Sequence, residues 1–190
     1  MEFSQLVRNR RTIRFFEQRP IPDAQLLKIV DDARSASCAC NWQRLRYTIV
    51  RTPDLAEKVF AHTAYGGKVT PRRSPRWGVN APAAFIIVHA DCTGNSAAHL
   101  EADAGAAIQT MEFSAWECGL GCCWLGAINK EAISKLTGVE NIIYLVAVGY
   151  PAETPVAEDV AITDSNAYYL DENDTLHVPK INVNDLTTWL

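Results

Sequence analysis

Residues 97–128 read AAHLEADAGAAIQTMEFSAWECGLGCCWLGAI, and the fold turns on how they are read. The first two thirds are expected to form one long helix. Leu100, Ala104, Ala107, Ile108, Met111, Ala115 and Cys118 recur at helical spacing as a stripe of small and apolar side chains. Asn95 and Ser96 are candidate N-caps, and Glu101 and Asp103 fall in the first turns, where the helix dipole favours negative charge. Gly119 and Gly121 then break the helix, and residues 122–128 read as a short buried strand. A packing face built from alanines lets a helix approach its neighbours closely. That suits a central scaffold helix or one in a dimer interface; an ordinary core helix with no functional role fits the same pattern.

The rest of the chain sets the frame. Its 190 residues can bury one substantial core, so a single domain over 1–190 is expected. Apolar residues make up 48% and charged residues 21%, ordinary values for a soluble globular protein. No uncharged apolar run approaches the ~20 residues of a membrane span, and the opening MEFSQLVRNRRT holds no stretch suited to a signal peptide. No membrane partner is expected. A cytoplasmic location follows, where Cys38, Cys40, Cys92, Cys118, Cys122 and Cys123 stay reduced.

The net charge of −4 conceals an asymmetry. Residues 1–76 carry 15 Lys/Arg against 7 Asp/Glu, a net +8, and residues 77–190 carry 3 against 15, a net −12. Of the 15 early cations 12 are arginine, whose fixed fork of donors suits phosphate. A small anionic ligand held by the first half explains this. Nucleic acid is the competing reading, but the acidic second half repels a polyanion unless the charges segregate to opposite faces.

In chain order, Glu2 to Asn9 reads as a short helix with Phe3, Leu6 and Val7 on one face. It leads into Arg10-Arg11-Thr12-Ile13-Arg14-Phe15-Phe16, where three arginines and a hydroxyl interleave with apolar side chains. This looks like an anion site; a basic helix end making weak surface ion pairs is the plainer reading. Pro20 and Pro22 end the segment, and Asp23 is a candidate cap for a helix to Ala33 with Leu26, Leu27, Ile29 and Val30 inward. A small, polar loop, Ser35 to Gln43, precedes a strand at Leu45–Val50 and a helix from Pro53 to about Ala64. Residues 66–78 are loop-like and contain Arg72, Arg73 and Arg76. Ala83–Ala90 is a buried strand, Lys130–Thr137 a short helix closed at Gly138, and Ile143–Tyr150 the last core strand. After Pro151 the pattern weakens, and residues 176–190 read as a carboxy-terminal arm. Strands alternating with helices indicate an α/β or α+β domain.

Several familiar constellations are missing. Gly119-Leu120-Gly121 follows a helix and precedes a strand, the reverse of the dinucleotide fingerprint, and Gly66-Gly67-Lys68 lacks the spacing of a P-loop. The four histidines are scattered, and the cysteines lack paired CxxC spacing, so no metal is expected.

Read together, five stretches in order resemble the nitroreductase family of FMN-dependent oxidoreductases. Arg10–Phe16 is similar to that family's opening motif, basic-basic-Ser-x-basic followed by an aromatic. Ala33 to Gln43 is similar to its second, most recognisable in Asn41-Trp42-Gln43. Asp103–Gln109 followed by Gly119–Gly126 is the nearest match, and Val148–Pro151 and His177–Lys180 resemble the later strand and carboxy-terminal segment. The chain departs from the pattern at Ser37-Cys38, where Pro-Ser is usual, at Arg44-Leu45, where Pro-Trp is usual, and at Ile181, where a basic residue is common.

The resemblance implies an α+β fold, a central mostly antiparallel sheet flanked by helices with a long central helix. It implies FMN as cofactor, NADH or NADPH as co-substrate, and a homodimer with FMN at the interface. Arg10 and Thr12 would hold the phosphate with Lys180, Arg11 would be a further cofactor-binding residue, and Arg14 would sit near N1 and O2 of the ring. Ser37, Cys38, Asn41 and Gln43 would bond the ribityl chain and pyrimidine edge, the backbone N–H groups of Leu125 and Gly126 would face O4 and N5, and Trp124 would be a further cofactor-binding residue. The implied reaction is ping-pong transfer of hydride from NAD(P)H to FMN N5 and on to a nitroaromatic, quinone or similar conjugated acceptor. No protein acid or base is needed, because the flavin carries the chemistry. Reductive dehalogenation, flavin fragmentation and non-enzymatic flavin binding are the alternatives.

Overall fold

Alternating apolar strands build a sheet covered on both faces. The computed structural model describes residues 2–67, 69, 73–91 and 99–190. Strands β1 (Leu45–Val50), β2 (Ala84–Ala90), β3 (Gly121–Leu125) and β4 (Ile142–Gly149) lie in the order β1-β2-β4-β3. Every neighbouring pair is antiparallel. This is the α+β architecture expected.

Helices α1 (Phe3–Asn9), α2 (Asp23–Ala33), α3 (Pro53–Phe60), α4 (Leu100–Glu117) and α5 (Lys130–Thr137) surround it. Ile86, Val88, Cys122, Val146 and Val148 pack on α2 and α4, against Leu26, Ile29, Ala104, Ile108 and Met111. Their strand neighbours Phe85, Ile87, Cys123, Leu145 and Ala147 point the other way, onto Ile13, Phe16, α3 and α5. Each fully buried Leu, Ile or Phe contributes ~1.5–3 kcal/mol, so the two faces together supply the main drive to fold.

The long helix follows its expected stripe: Leu100, Ala104, Ala107, Ile108, Met111 and Ala115 are all buried. Cys118 is its half-buried C-cap, and Gly119 turns the chain out at φ +75. The helix begins at Leu100, after His99 in the left-handed region. The candidate caps Asn95 and Ser96 lie outside the described residues, as do Lys68, Arg72 and Cys92. Strand β3 stops at Leu125, three residues short of the expected end; Ile128 instead bridges Thr63, and Ala64 N–H donates to the Ala127 carbonyl at 2.9 Å.

Other expectations need correction. In α1 only Leu6 is buried; Phe3 and Val7 are exposed, with Phe3 meeting Phe113 edge-on at 5.9 Å. In α2 Leu27 faces solvent, and Pro22 rather than Asp23 holds the cap position. Helix α3 ends at Phe60 rather than near Ala64. Helix α5 matches its expected bounds because both ends are coded locally: Asn129 accepts from Ala132 N–H, and Gly138 adopts φ +73.

Residues 176–181, read from the sequence as the start of an arm, form β7 (Leu176–Ile181). It is the middle strand of a second sheet with β5 (Val156–Val160), parallel to it, and β6 (Tyr169–Leu170), antiparallel. A short α6 (Val183–Leu186) follows. Among the described residues no helix is long and apolar enough to cross a membrane.

Candidate active site

The arginine segment owes its place to the two apolar residues within it. Ile13 and Phe16 are fully buried, and the chain between them runs beside β3: Thr12 bridges Cys122, and Ile13 N–H donates to the Cys122 carbonyl at 2.9 Å. Phe16 N–H reaches the Asn80 carbonyl at 3.0 Å and Glu17 N–H that of Tyr150 at 2.8 Å. With Ile13 and Phe16 turned in, Arg10, Arg11, Thr12 and Arg14 are left half-buried. The amino-terminal arginines and the main chain beyond the double cysteine therefore lie side by side.

Three cations gather at one end of this segment. Arg10 Nη1 lies 3.2 Å from Glu112 Oε2 on α4. Burial lowers the Lys180 pKa, and the charges of Arg11 and Arg10 lower it further, so β7 brings Lys180 near both. Burial, then Arg10, likewise lowers the Arg11 pKa. Burial raises the Glu112 pKa, and the adjacent Arg10 partly opposes that. Buried Nε atoms of Arg10 and Arg11 have no hydrogen-bond partner among the described residues. A cluster of crowded cations with unused buried donors is suited to a phosphate.

Beyond Thr12 the segment borders a cleft of about 720 Å³, walled by Arg14, Tyr65, Trp124, Leu125, Gly126 and Tyr168. Arg14 lies over the Tyr168 ring, 5.5 Å from its centroid, and its buried Nε has no hydrogen-bond partner among the described residues. A cation, aromatic walls and exposed strand-end backbone favour a planar, polar-edged ligand.

The Nitroreductase family model matches residues 7–150, from just before the arginine segment to the end of β4. The chain belongs to the nitroreductase family. A protein of Methanothermobacter thermautotrophicus that carries the provisional name NADH dehydrogenase/NAD(P)H nitroreductase is 27% identical over 171 residues, 84% of this chain and 83% of its own length. A relative of the same provisional name from Archaeoglobus fulgidus is 30% identical over 161 residues, 80% of this chain and 87% of its own. Among solved structures, a provisionally named nitroreductase from Desulfovibrio desulfuricans, in complex with FMN, aligns with a TM-score of 0.66 at 25% identity, covering 85% of this chain and 93% of that one.

This nitroreductase-family chain keeps its second motif apart from the first. Ser37, Cys38 and Gln43 line a different pocket of about 280 Å³ with Tyr47 and Asp103, and exposed Asn41 accepts from Gln43 Nε2 at 3.0 Å. Within one chain the structure thus unites Thr12, Arg14, Trp124, Leu125 and Gly126 in one cleft, with Arg10, Arg11 and Lys180 beside it. Ser37, Cys38, Asn41 and Gln43 stand elsewhere. Their loop is held in a costly shape, since Cys40, Asn41 and Gln43 all have positive φ (50°, 52° and 49°). Buried Asp103 supports it by accepting from Ala39 N–H at 2.9 Å.

The sequence pointed to none of Glu153, Arg73, Tyr168 and Glu112 as site residues. Glu153 Oε1 accepts from Arg14 N–H at 2.5 Å and Phe15 N–H at 3.1 Å, while its Oε2 lies 3.3 Å from Arg73 Nη1. Glu153 and Arg73 are lone charges in loops, which carry no sequence signal that they will be buried.

The cysteines divide by environment. Burial pushes the Cys123 thiol up to about 12 and Cys122 well above the ordinary range. Only the thiolate attacks alkylating agents, so a raised pKa keeps both inert at pH 8. Iodoacetamide at that pH should label Cys122 and Cys123 only after denaturation, as read by peptide mass spectrometry. Labelling of Cys123 in the native state would contradict its burial.

Proposed function

We propose that the chain is an FMN-dependent NAD(P)H oxidoreductase acting on a nitroaromatic, quinone or similar conjugated acceptor. The observation that carries this is the continuity between the Arg10–Arg11–Lys180 cluster and the Arg14-walled cleft along one extended segment. In this reading Arg10, Arg11, Thr12 and Lys180 hold the phosphate, and Arg14 and the main chain of Trp124–Gly126 flank the ring. When bound, FMN supplies the reversible two-electron chemistry. Arg14 would oppose negative charge on the pyrimidine edge of the reduced ring. The FMN complex of the Desulfovibrio desulfuricans relative supports the cofactor assignment.

The reading includes a homodimer. Ser37, Cys38, Asn41 and Gln43 do not line the cleft of their own chain, so they would complete the site of a second copy. A cytoplasmic location is part of it too, supported by five described thiols that form no disulfide. The test is spectroscopic: purified protein should show flavin absorbance, bleach on addition of NADH or NADPH, and recover with an acceptor. A colourless protein that takes up no added FMN, or a flavin reduced by neither nucleotide, would overturn it.

The roles separate experimentally. Arg14→Ala should lower the bound flavin's two-electron potential by tens of millivolts, since ~30 mV corresponds to 1.4 kcal/mol of lost interaction, as measured by dye-coupled redox titration. Arg10→Ala or Lys180→Ala should leave the potential near its original value and weaken FMN binding by ~1–3 kcal/mol each.

A further inference from the structure

We propose that Arg73 is a positioning residue that rivets the carboxy-terminal sheet to the arginine segment, so that the phosphate cations assemble as one unit. For its ligand the proposal rests on the FMN reading above; the rivet itself rests on geometry alone. Arg73 lies in the connection between α3 and β2, is only 4% exposed, and is fixed there by its own N–H donating to the Val69 carbonyl at 2.9 Å. Its guanidinium reaches three separate segments. Nη1 lies 3.3 Å from Glu153 Oε2, the carboxylate whose other oxygen accepts from the backbone of Arg14 and Phe15. Nη2 donates to the Asp174 carbonyl and lies 3.6 Å from its carboxylate. The guanidinium carbon also lies 5.0 Å from the Phe15 ring centroid.

Asp174 stands two residues before β7, the strand that carries Lys180, and holds a positive φ of 63°. On its other side, Tyr168 touches Arg14 directly. The stretch from Tyr168 to Lys180 thus meets the arginine segment at both ends, and Arg73 pins its middle. A planar fork with several fixed donors can satisfy Glu153 and Asp174 at once, which an ammonium cannot do as well. If Arg73 only stabilised the fold, its loss would loosen the whole molecule evenly. If it rivets these segments, its loss loosens them together and ahead of the rest.

The experiment uses the full-length protein and two readouts, backbone amide hydrogen exchange and FMN affinity by fluorescence titration. Arg73→Met should raise exchange by about tenfold at Arg14, Phe15 and 174–181 together, leave β2 and α5 unchanged, and weaken FMN binding about tenfold. Arg73→Lys should restore part of both. Lys180→Ala should weaken FMN without changing exchange at Arg14 and Phe15. A uniform rise over the whole chain, or a rise in only one of the two segments, would overturn the proposal, as would raised exchange with unaltered FMN affinity. Should Arg73→Met fail to fold, Glu153→Gln carries the test, with the same paired rise expected at smaller size; its absence counts against the rivet. If the wild-type protein binds no FMN, the cofactor reading fails, and the exchange pattern still decides the docking.

Discussion

Gly149→Ala and Gly121→Ala are each expected to lower the melting temperature by roughly 2–12 °C, from an overpacking cost of ~1–3 kcal/mol at ~2–4 °C per kcal/mol. The two glycines face each other across β3 and β4. A Cβ on Gly121 would meet Ile13 at 2.5 and 2.8 Å, and one on Gly149 would meet Phe16 at 2.6 and 2.9 Å. Neither side chain can move aside, because Ile13 and Phe16 are fully enclosed. The added methyl must therefore lift the arginine segment, so FMN affinity should fall along with stability. Because one displacement relieves both clashes, the double variant should cost less than the sum of the singles. Full additivity in thermal melts would mean that the segment does not move as a body.

This pair also shows where sequence reading stops. Gly121 was legible as a helix breaker; its need to admit Ile13 was not, because that contact joins residues far apart in the chain. Local signals are legible in the sequence. Asn129 and Gly138 bound α5, and the Ala104–Ala115 stripe marked α4, since capping and periodicity are coded within a few residues. Strand β5 carries the adjacent charges Glu158 and Asp159 and is largely exposed, and β6 is only two residues long, so no apolar run announces either. Leu27 misled for the opposite reason, an apolar residue on the outer face of α2. The candidate site divided in the same way. The arginine cluster and the strand after the double cysteine declare themselves by residue type, and their adjacency follows from the buried Ile13 and Phe16 between the arginines. The separation of Ser37–Gln43 from that cleft depends on tertiary geometry, which residue type does not encode.

Glu153→Ala should be among the most damaging single changes in the chain, costing ~3–5 kcal/mol as the loss of one partner of a buried ion pair. Its carboxylate side chain is 6% exposed and Arg73's is 5%, so water cannot substitute for either. Removing Glu153 strands the Arg14 and Phe15 amides and takes from the Arg73 guanidinium its buried carboxylate, leaving it the half-exposed Asp174. Removing Arg73 as Arg73→Met strands fewer, since the carboxylate still accepts from both amides. Glu153→Ala should accordingly be the more destabilising of the two in denaturant titrations. Arg73→Met combined with Glu153→Leu should recover part of the loss, because no unpaired charge then remains inside, but not all of it, because the two amides stay unsatisfied. The reverse order of the singles would mean that Arg73 acts mainly through its contacts with Phe15 and Asp174. In that case the arginine segment would be held by packing and by the carboxy-terminal loop, and Glu153 would be a minor support.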